Sequence, residues 1–261
     1  MPRCSIGCTR FAALSTLAAA LAAAPALAVD GVLEINQACV TTGCFTGDGP
    51  GFPVEIANPG SYRLTSNLTV PDDDTTAIVL QARFVTLDLN GFTIIGQYMC
   101  GPSPPNCPGG SARAIDAEDT DGSRVHNGGI RQFGGGALRL GGLNLIEDLR
   151  IRGIGGDGIV SGLGSLVRGN VVGDIRGDGI KLEFGNPPLP GDGVIEGNVV
   201  RVTGGDGIEV DFGLLLGNRV VVTAGADALL GPSAAYGKNA FSEVPLGGQS
   251  LGDNLCGASL C

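Results

Sequence analysis

Charged residues occupy alternate positions in two short segments, Ile180-Lys181-Leu182-Glu183 and Ile208-Glu209-Val210-Asp211. Alternate side chains of an extended chain point the same way, so each segment offers a charged face to solvent and buries an apolar one. Lys181, Glu183, Glu209 and Asp211, with Arg139 from Leu138-Arg139-Leu140, form the candidate catalytic set. A basic group beside carboxylates can move a proton or steady a developing negative charge. The same residues also suit a solvated face whose salt bridges contribute about 0–1 kcal/mol each.

A second acidic group, Asp116, Glu118, Asp119 and Asp121, is rich in oxygen and sits in a turn, which suits calcium. It does not fit an EF-hand, because the first and twelfth positions would be Ala117 and Gly128. An acidic solvent turn is the competing reading. The single histidine, His126, has no Gly-x-Ser-x-Gly elbow to serve. Gly153-x-Gly155-x-x-Gly158 matches the dinucleotide fingerprint in form, but no helical pattern follows it.

The elements that must position these residues come from an internal repeat. Asp157-Gly158-Ile159, Asp178-Gly179-Ile180 and Asp206-Gly207-Ile208 open three similar segments, and weaker members start at Thr76, Arg113, Gly136 and Asp227. The commonest spacing is 178 − 157 = 21 residues, with two insertions, about 97–112 and 185–192. A second marker follows each start and reads Asn90, Asn127, Asp148, Asn170, Asn198 and Asn218. Apolar residues around both markers alternate with polar ones, the period of strands. So short a unit has too little apolar surface to stand alone and must stack. The spacing predicts an inner column of Ile78, Ile115, Leu138, Ile159, Ile180, Ile208 and Leu229, and a turn ladder at the Asn markers. The outer columns would be Val79, Asp116, Arg139, Val160, Lys181 and Glu209, then Gln81, Glu118, Gly141, Gly162, Glu183 and Asp211.

Composition supports an exported repeat protein. Glycine supplies 46 of 261 residues without a collagen period, and interspersed Val, Ile and Leu exclude a disordered linker. Arg3 and Arg10 precede an apolar run that ends in Ala26-Leu27-Ala28, so residues 1–28 read as a secretory signal. Later segments contain no stretch apolar enough to serve as a transmembrane anchor. Net charge is −10, and 14 − 26 = −12 once Arg3 and Arg10 leave, which disfavours nucleic acid as a partner. Six cysteines then remain as three close pairs, Cys39/Cys44, Cys100/Cys107 and Cys256/Cys261, whose spacing favours local disulfides over zinc.

The Gly-Asp-Gly-Ile and Gly-Asn-x-Val pattern, with Val85-Thr86-Leu87-Asp88-Leu89-Asn90-Gly91-Phe92, resembles the right-handed parallel β-helix, or pectin-lyase-like, family over about residues 60–230. The resemblance implies an all-β, right-handed, single-stranded parallel β-helix of about seven coils of roughly 21 residues. Residues 29–261 would form it, with 29–70 as N-terminal cap and first strands, 71–235 as coils and 236–261 as a capping tail. It also implies that sugar polymers bind along a sheet face walled by the two insertions. The expected partner is therefore a periplasmic or extracellular polysaccharide or another envelope component. Lyases of that family need a base beside a carboxylate and a cation for the resulting charge; Lys181 or Arg139 would be the base. Its Gly-His-Gly, Asn-Thr-Asp, Arg-x-Pro-x-x-Arg and Asp-Pro-His catalytic signatures are missing from this sequence. A lyase or epimerase acting on uronic-acid polymers, and a structural or adhesive rod, stand as alternatives.

Overall fold

Every second side chain of a strand points inward, and this chain uses that alternation three times in each repeat. The computed structural model describes residues 31–99, 110–183, 193–202 and 204–261. The signal segment, Cys4, Cys8, the Cys100/Cys107 pair, insertion 185–192 and most of 97–112 lie outside the described residues.

The strands form one long, mostly parallel sheet that divides into three ladders. The first contains Val54–Ile56, Ile78–Leu80, Arg113–Ala117, Gly136–Leu140, Asp157–Ser161 and Ile180–Leu182, then the first residues of Ile208–Leu216 and Ala228–Gly237. The second runs from Val32–Ile35 through Gly60–Leu64 and Val85–Asp88 to Leu166–Arg168 and Gly193–Glu196. The third begins at Leu68–Thr69 and Thr93–Ile95 and continues through Val171–Ile175, Val199–Val202 and Arg219–Val222 to Ala240–Phe241 and Leu255–Cys256. Each strand pairs in parallel with the equivalent strand of the next repeat, a topology compatible with a β-helix. Among the described residues the one antiparallel pairing joins Leu255–Cys256 to Ser259–Leu260. The first strands of the ladders lie within 29–70, and the last parallel pairings reach into 236–261.

Register holds the expected inner column together. Val54, Ile78, Ile115, Leu138, Ile159, Ile180 and Ile208 face one another in order, and none is more than 1% exposed. The last member differs from expectation: Ala228, fully buried, sits opposite Ile208, while Leu229 sits opposite Glu209 and is 39% exposed. The motif-based alignment put Asp227 over Asp206, but this repeat is one residue shorter. The slip of one residue turns Leu229 outward.

The turn ladder is also two columns rather than one. Asn127 (φ 61°) and Asp148 (φ 54°) occupy a left-handed position that passes to Gly169, Gly197 and Gly217, each near φ 62–65°. Asn90 (φ 51°) turns the preceding corner. Short polar side chains and glycine tolerate this conformation. One residue further on, Asn170, Asn198, Asn218, Asn239 and Asn254 stack fully buried. The backbone N–H of Asn170 donates to Oδ1 of Asn198 at 2.9 Å, and the pattern repeats to Asn254. Each Nδ2 of the first four also reaches a carbonyl one repeat back: Ile146, Val167, Ile195 and Leu215. Buried amides that would otherwise be orphaned are satisfied in this way.

The repeated Gly-Ile step answers to a different constraint. A Cβ on Gly158, Gly179 or Gly207 would lie 2.5 Å from the carbonyl oxygen of the residue above. The backbones approach too closely for any side chain. Local disulfides join Cys39 to Cys44 and Cys256 to Cys261. No helix among the described residues is long and apolar enough to cross a membrane.

Candidate functional site

The outward column of the first ladder follows the sequence reading: Val79, Asp116, Arg139, Val160, Lys181 and Glu209 are register neighbours. Neighbouring strands of a sheet are about 4.8 Å apart, so side chains one repeat away can pair. Arg139 makes ion pairs with Glu118 at 2.9 Å and with Glu183 at 3.0 Å. Lys181 contacts Glu209 at 2.9 Å, Glu183 at 3.5 Å and Asp178 at 3.8 Å. Glu183 therefore links the two cations, and the chain of charges runs Glu118, Arg139, Glu183, Lys181, Glu209. Val160, the apolar residue between Arg139 and Lys181, is only 5% exposed. The bridge from Arg139 to Glu183 passes across its repeat.

Four of the five candidate catalytic residues are thus brought together. Asp211 is exposed and joins none of these ion pairs. Glu118 enters the network although its sequence placed it in the calcium set. Asp178 is an addition; the signal for it was its place three residues before Lys181 in the recurring Asp-Gly-Ile motif.

The electrostatics settle what the cations can do. Burial opposes the Lys181 charge, but the Glu209 hydrogen bond and the charges of Glu209, Glu183 and Asp178 outweigh it, so its pKa is pushed up to about 12. The Glu118 hydrogen bond raises Arg139, against a smaller opposing effect of burial. Both stay protonated and donate. Burial raises the Glu209 carboxyl, with the neighbouring Asp178 adding to the effect against Lys181. Asp157, Asp178 and Asp206 each accept a backbone N–H from the next repeat, at 2.8, 2.8 and 2.7 Å. Those bonds offset the repulsion of stacked carboxylates.

In the proposed calcium set, three of the four carboxylates are paired with arginines. Asp116 pairs with Arg113, Glu118 with Arg139, and Asp121 with Arg83, while Asp121 Oδ1 also accepts the Gly142 N–H. Three different arginines therefore already neutralise Asp116, Glu118 and Asp121. The acidic group that does converge among the described residues is Asp178, Asp206 and Glu209, where the Lys181 ammonium already supplies positive charge.

Beside the network lies an open groove of about 490 Å³. Glu118, Asp119, Asp121, Arg139 and Glu183 line it, with Gly141, Gly142 and Gly162 exposing backbone. On the second ladder, Glu147 is buried between Arg124 and Arg168. Burial raises its carboxyl, but the two arginines outweigh that and hold it below the usual range. His126, next to Glu147 in register, is lowered by burial and by Arg124. Compared with known protein families, curated proteins and solved structures, the chain matches none of them.

Proposed function

We propose that this chain is an exported, right-handed parallel β-helix that binds a neutral extracellular or envelope polysaccharide along its first-ladder face without cleaving it. The observation that carries the reading is the groove of about 490 Å³ whose carboxylates and single guanidinium stand over a glycine surface. Carboxylates accept from sugar hydroxyls, Arg139 donates, and bare backbone lets a flat ring approach closely. An excess of acid on the rim repels an anionic polymer, and the hydroxyls of a neutral one can donate to these carboxylates.

Two charge effects favour binding over lyase or epimerase chemistry. A general base works best with a pKa near the operating pH, whereas Lys181 is pushed up to about 12 and Arg139 is raised further from neutrality. The absence of Trp and the small number of Tyr, three in the chain, point to modest affinity.

Affinity electrophoresis against neutral and uronic-acid polymers, with product absorbance followed in parallel, tests the proposal. A neutral polymer should retard the protein, and Glu118→Gln with Asp119→Asn, which keep the acceptors but remove their charge, should weaken retardation about tenfold, two hydrogen bonds each weakened by ~0.7 kcal/mol. Failure of every neutral polymer to bind, or undiminished binding by the double variant, would overturn it. Unsaturated product that disappears in Lys181→Ala would establish the lyase alternative instead.

A further inference from the structure

The outer face of the third ladder has a different character from the first. Register places Ile95, Arg131, Arg152, Gly173 and Arg201 in one column. The adjacent column holds Thr93, Gly129, Arg150, Val171, Val199 and Arg219. Five of the chain's 16 basic residues therefore stand on one face of a protein whose net charge is −10.

Little on the protein neutralises them. Arg131 and Arg152 are direct register neighbours, so two like charges sit one strand spacing apart. Arg152 reaches Asp174 at 2.7 Å, an ion pair exposed on both sides. Arg131 and Arg150 make no ion pair with any described residue. Asp148 is the one carboxylate lining their groove, and the Asn127 amide is turned away to Asp88 at 3.0 Å.

The groove measures about 420 Å³ and takes its shape from a gap in the side-chain carpet. Gly129 separates Thr93 from Arg150 in one column, with Arg131 two residues along the strand. A Cβ at Gly129 would come within 2.8 Å of Thr93 Oγ1. Thr93 and the bare backbone at Gly128 and Gly129 thus line an opening together with Arg131, Arg150 and Arg152. Planar guanidinium forks suit carboxylate and sulfate oxygens.

We propose that this face is a second binding site, for an acidic polysaccharide bearing carboxylate or sulfate groups, independent of the first-ladder groove. The charges continue along the ladder from Arg131 and Arg152 past the open Gly173 to Arg201, with Arg219 alongside. A linear polymer with recurrent negative charge matches such a row better than a lone anion does. Neither column carries an aromatic residue, so the stacking that single-stranded nucleic acid uses is missing.

The test measures retention of the full chain on immobilised dextran sulfate and polygalacturonate, against dextran of equal length and a single-stranded oligonucleotide. Both acidic polymers should bind at low salt and release as salt rises. Arg131→Gln with Arg150→Gln should raise Kd at least tenfold and flatten the dependence on log salt, because fewer counterions are released. Arg63→Gln, a basic residue on the second ladder, and the Glu118→Gln/Asp119→Asn variant should bind as the parent does, so this site can fail while the first stands, and the reverse. Circular dichroism checks that each variant is folded. Absence of binding to both acidic polymers, an equal loss in Arg63→Gln, or equal affinity for the oligonucleotide would overturn the proposal.

Discussion

Asp157 shows how one side chain serves two opposed demands. Its Oδ1 accepts the Asp178 N–H at 2.8 Å, yet burial raises its carboxyl above the ordinary value. A carboxyl raised by folding contributes stability below its unfolded pKa and loses that contribution as pH rises through the folded value. At pH 7 the ionised group is therefore a cost. Asp157→Asn keeps the acceptor and removes the charge, so it should stabilise the protein by up to about 1 kcal/mol at pH 7. The gain should vanish near pH 3, where the parent carboxyl is protonated too; urea midpoints at the two pH values check this. Lys181 has the same sign: the stability from its raised pKa is complete below 10.5 and is lost as pH passes about 12. The residues of this network were legible in sequence because their alternation fixed the exposed phase. Their pairing was not, since Arg139 meets Glu183 across an intervening repeat.

At the level of strands and corners, the asparagine column is the most exacting element. Asn198 donates to Asn218 through its backbone N–H and through Nδ2, donates to the Val167 carbonyl, and accepts from Asn170. Asn198→Ala removes the acceptor for the buried Asn170 N–H and strands the Val167 carbonyl, which should cost about 2–4 kcal/mol, measured by chemical denaturation. The sequence reading found Asn170, Asn198 and Asn218 but merged them with the left-handed corner residues Asn127 and Asp148. The two columns are adjacent in the chain and share a residue type, and only strand register separates them. Asn239 stands 239 − 227 = 12 residues after the weak Asp227 start, the offset of Asn218 from Asp206, and was missed there; Asn254 follows no recognisable start. Leu229 was misplaced for a related reason: Asp227 matches the motif by identity, while the shorter repeat sets Ala228 in the buried slot.

Over the molecule as a whole, equal register makes the repeats nearly interchangeable. Removing residues 206–225 would join Gly205 to Ala226. Asp178 Oδ1, which now accepts the Asp206 N–H, would accept the Ala226 N–H, a role Asp206 already fills for it. Asn239 would move opposite Asn198 and Ala228 opposite Ile180. The shortened chain should keep the strand signature in circular dichroism and one cooperative transition at a lower denaturation midpoint, as nearest-neighbour energetics require. Removing only 206–215 should abolish that transition, because every following side chain then meets the wrong ladder. Collapse of both deletions alike would contradict stacking by equivalent repeats.

The same regularity creates a hazard where it stops, since a final flat strand would invite a stranger's chain to continue the pattern. Leu246–Ser250 carries Gly247 and Gly248 at φ 82° and 72°, which buckle that border. Beside it, Leu255–Cys256 is folded back against Ser259–Leu260 and tied by Cys256–Cys261. Residues 255–260 thus break the parallel pattern that every earlier pairing among the described residues keeps, and reducing the Cys256–Cys261 disulfide would remove the covalent tie that holds them in that fold-back.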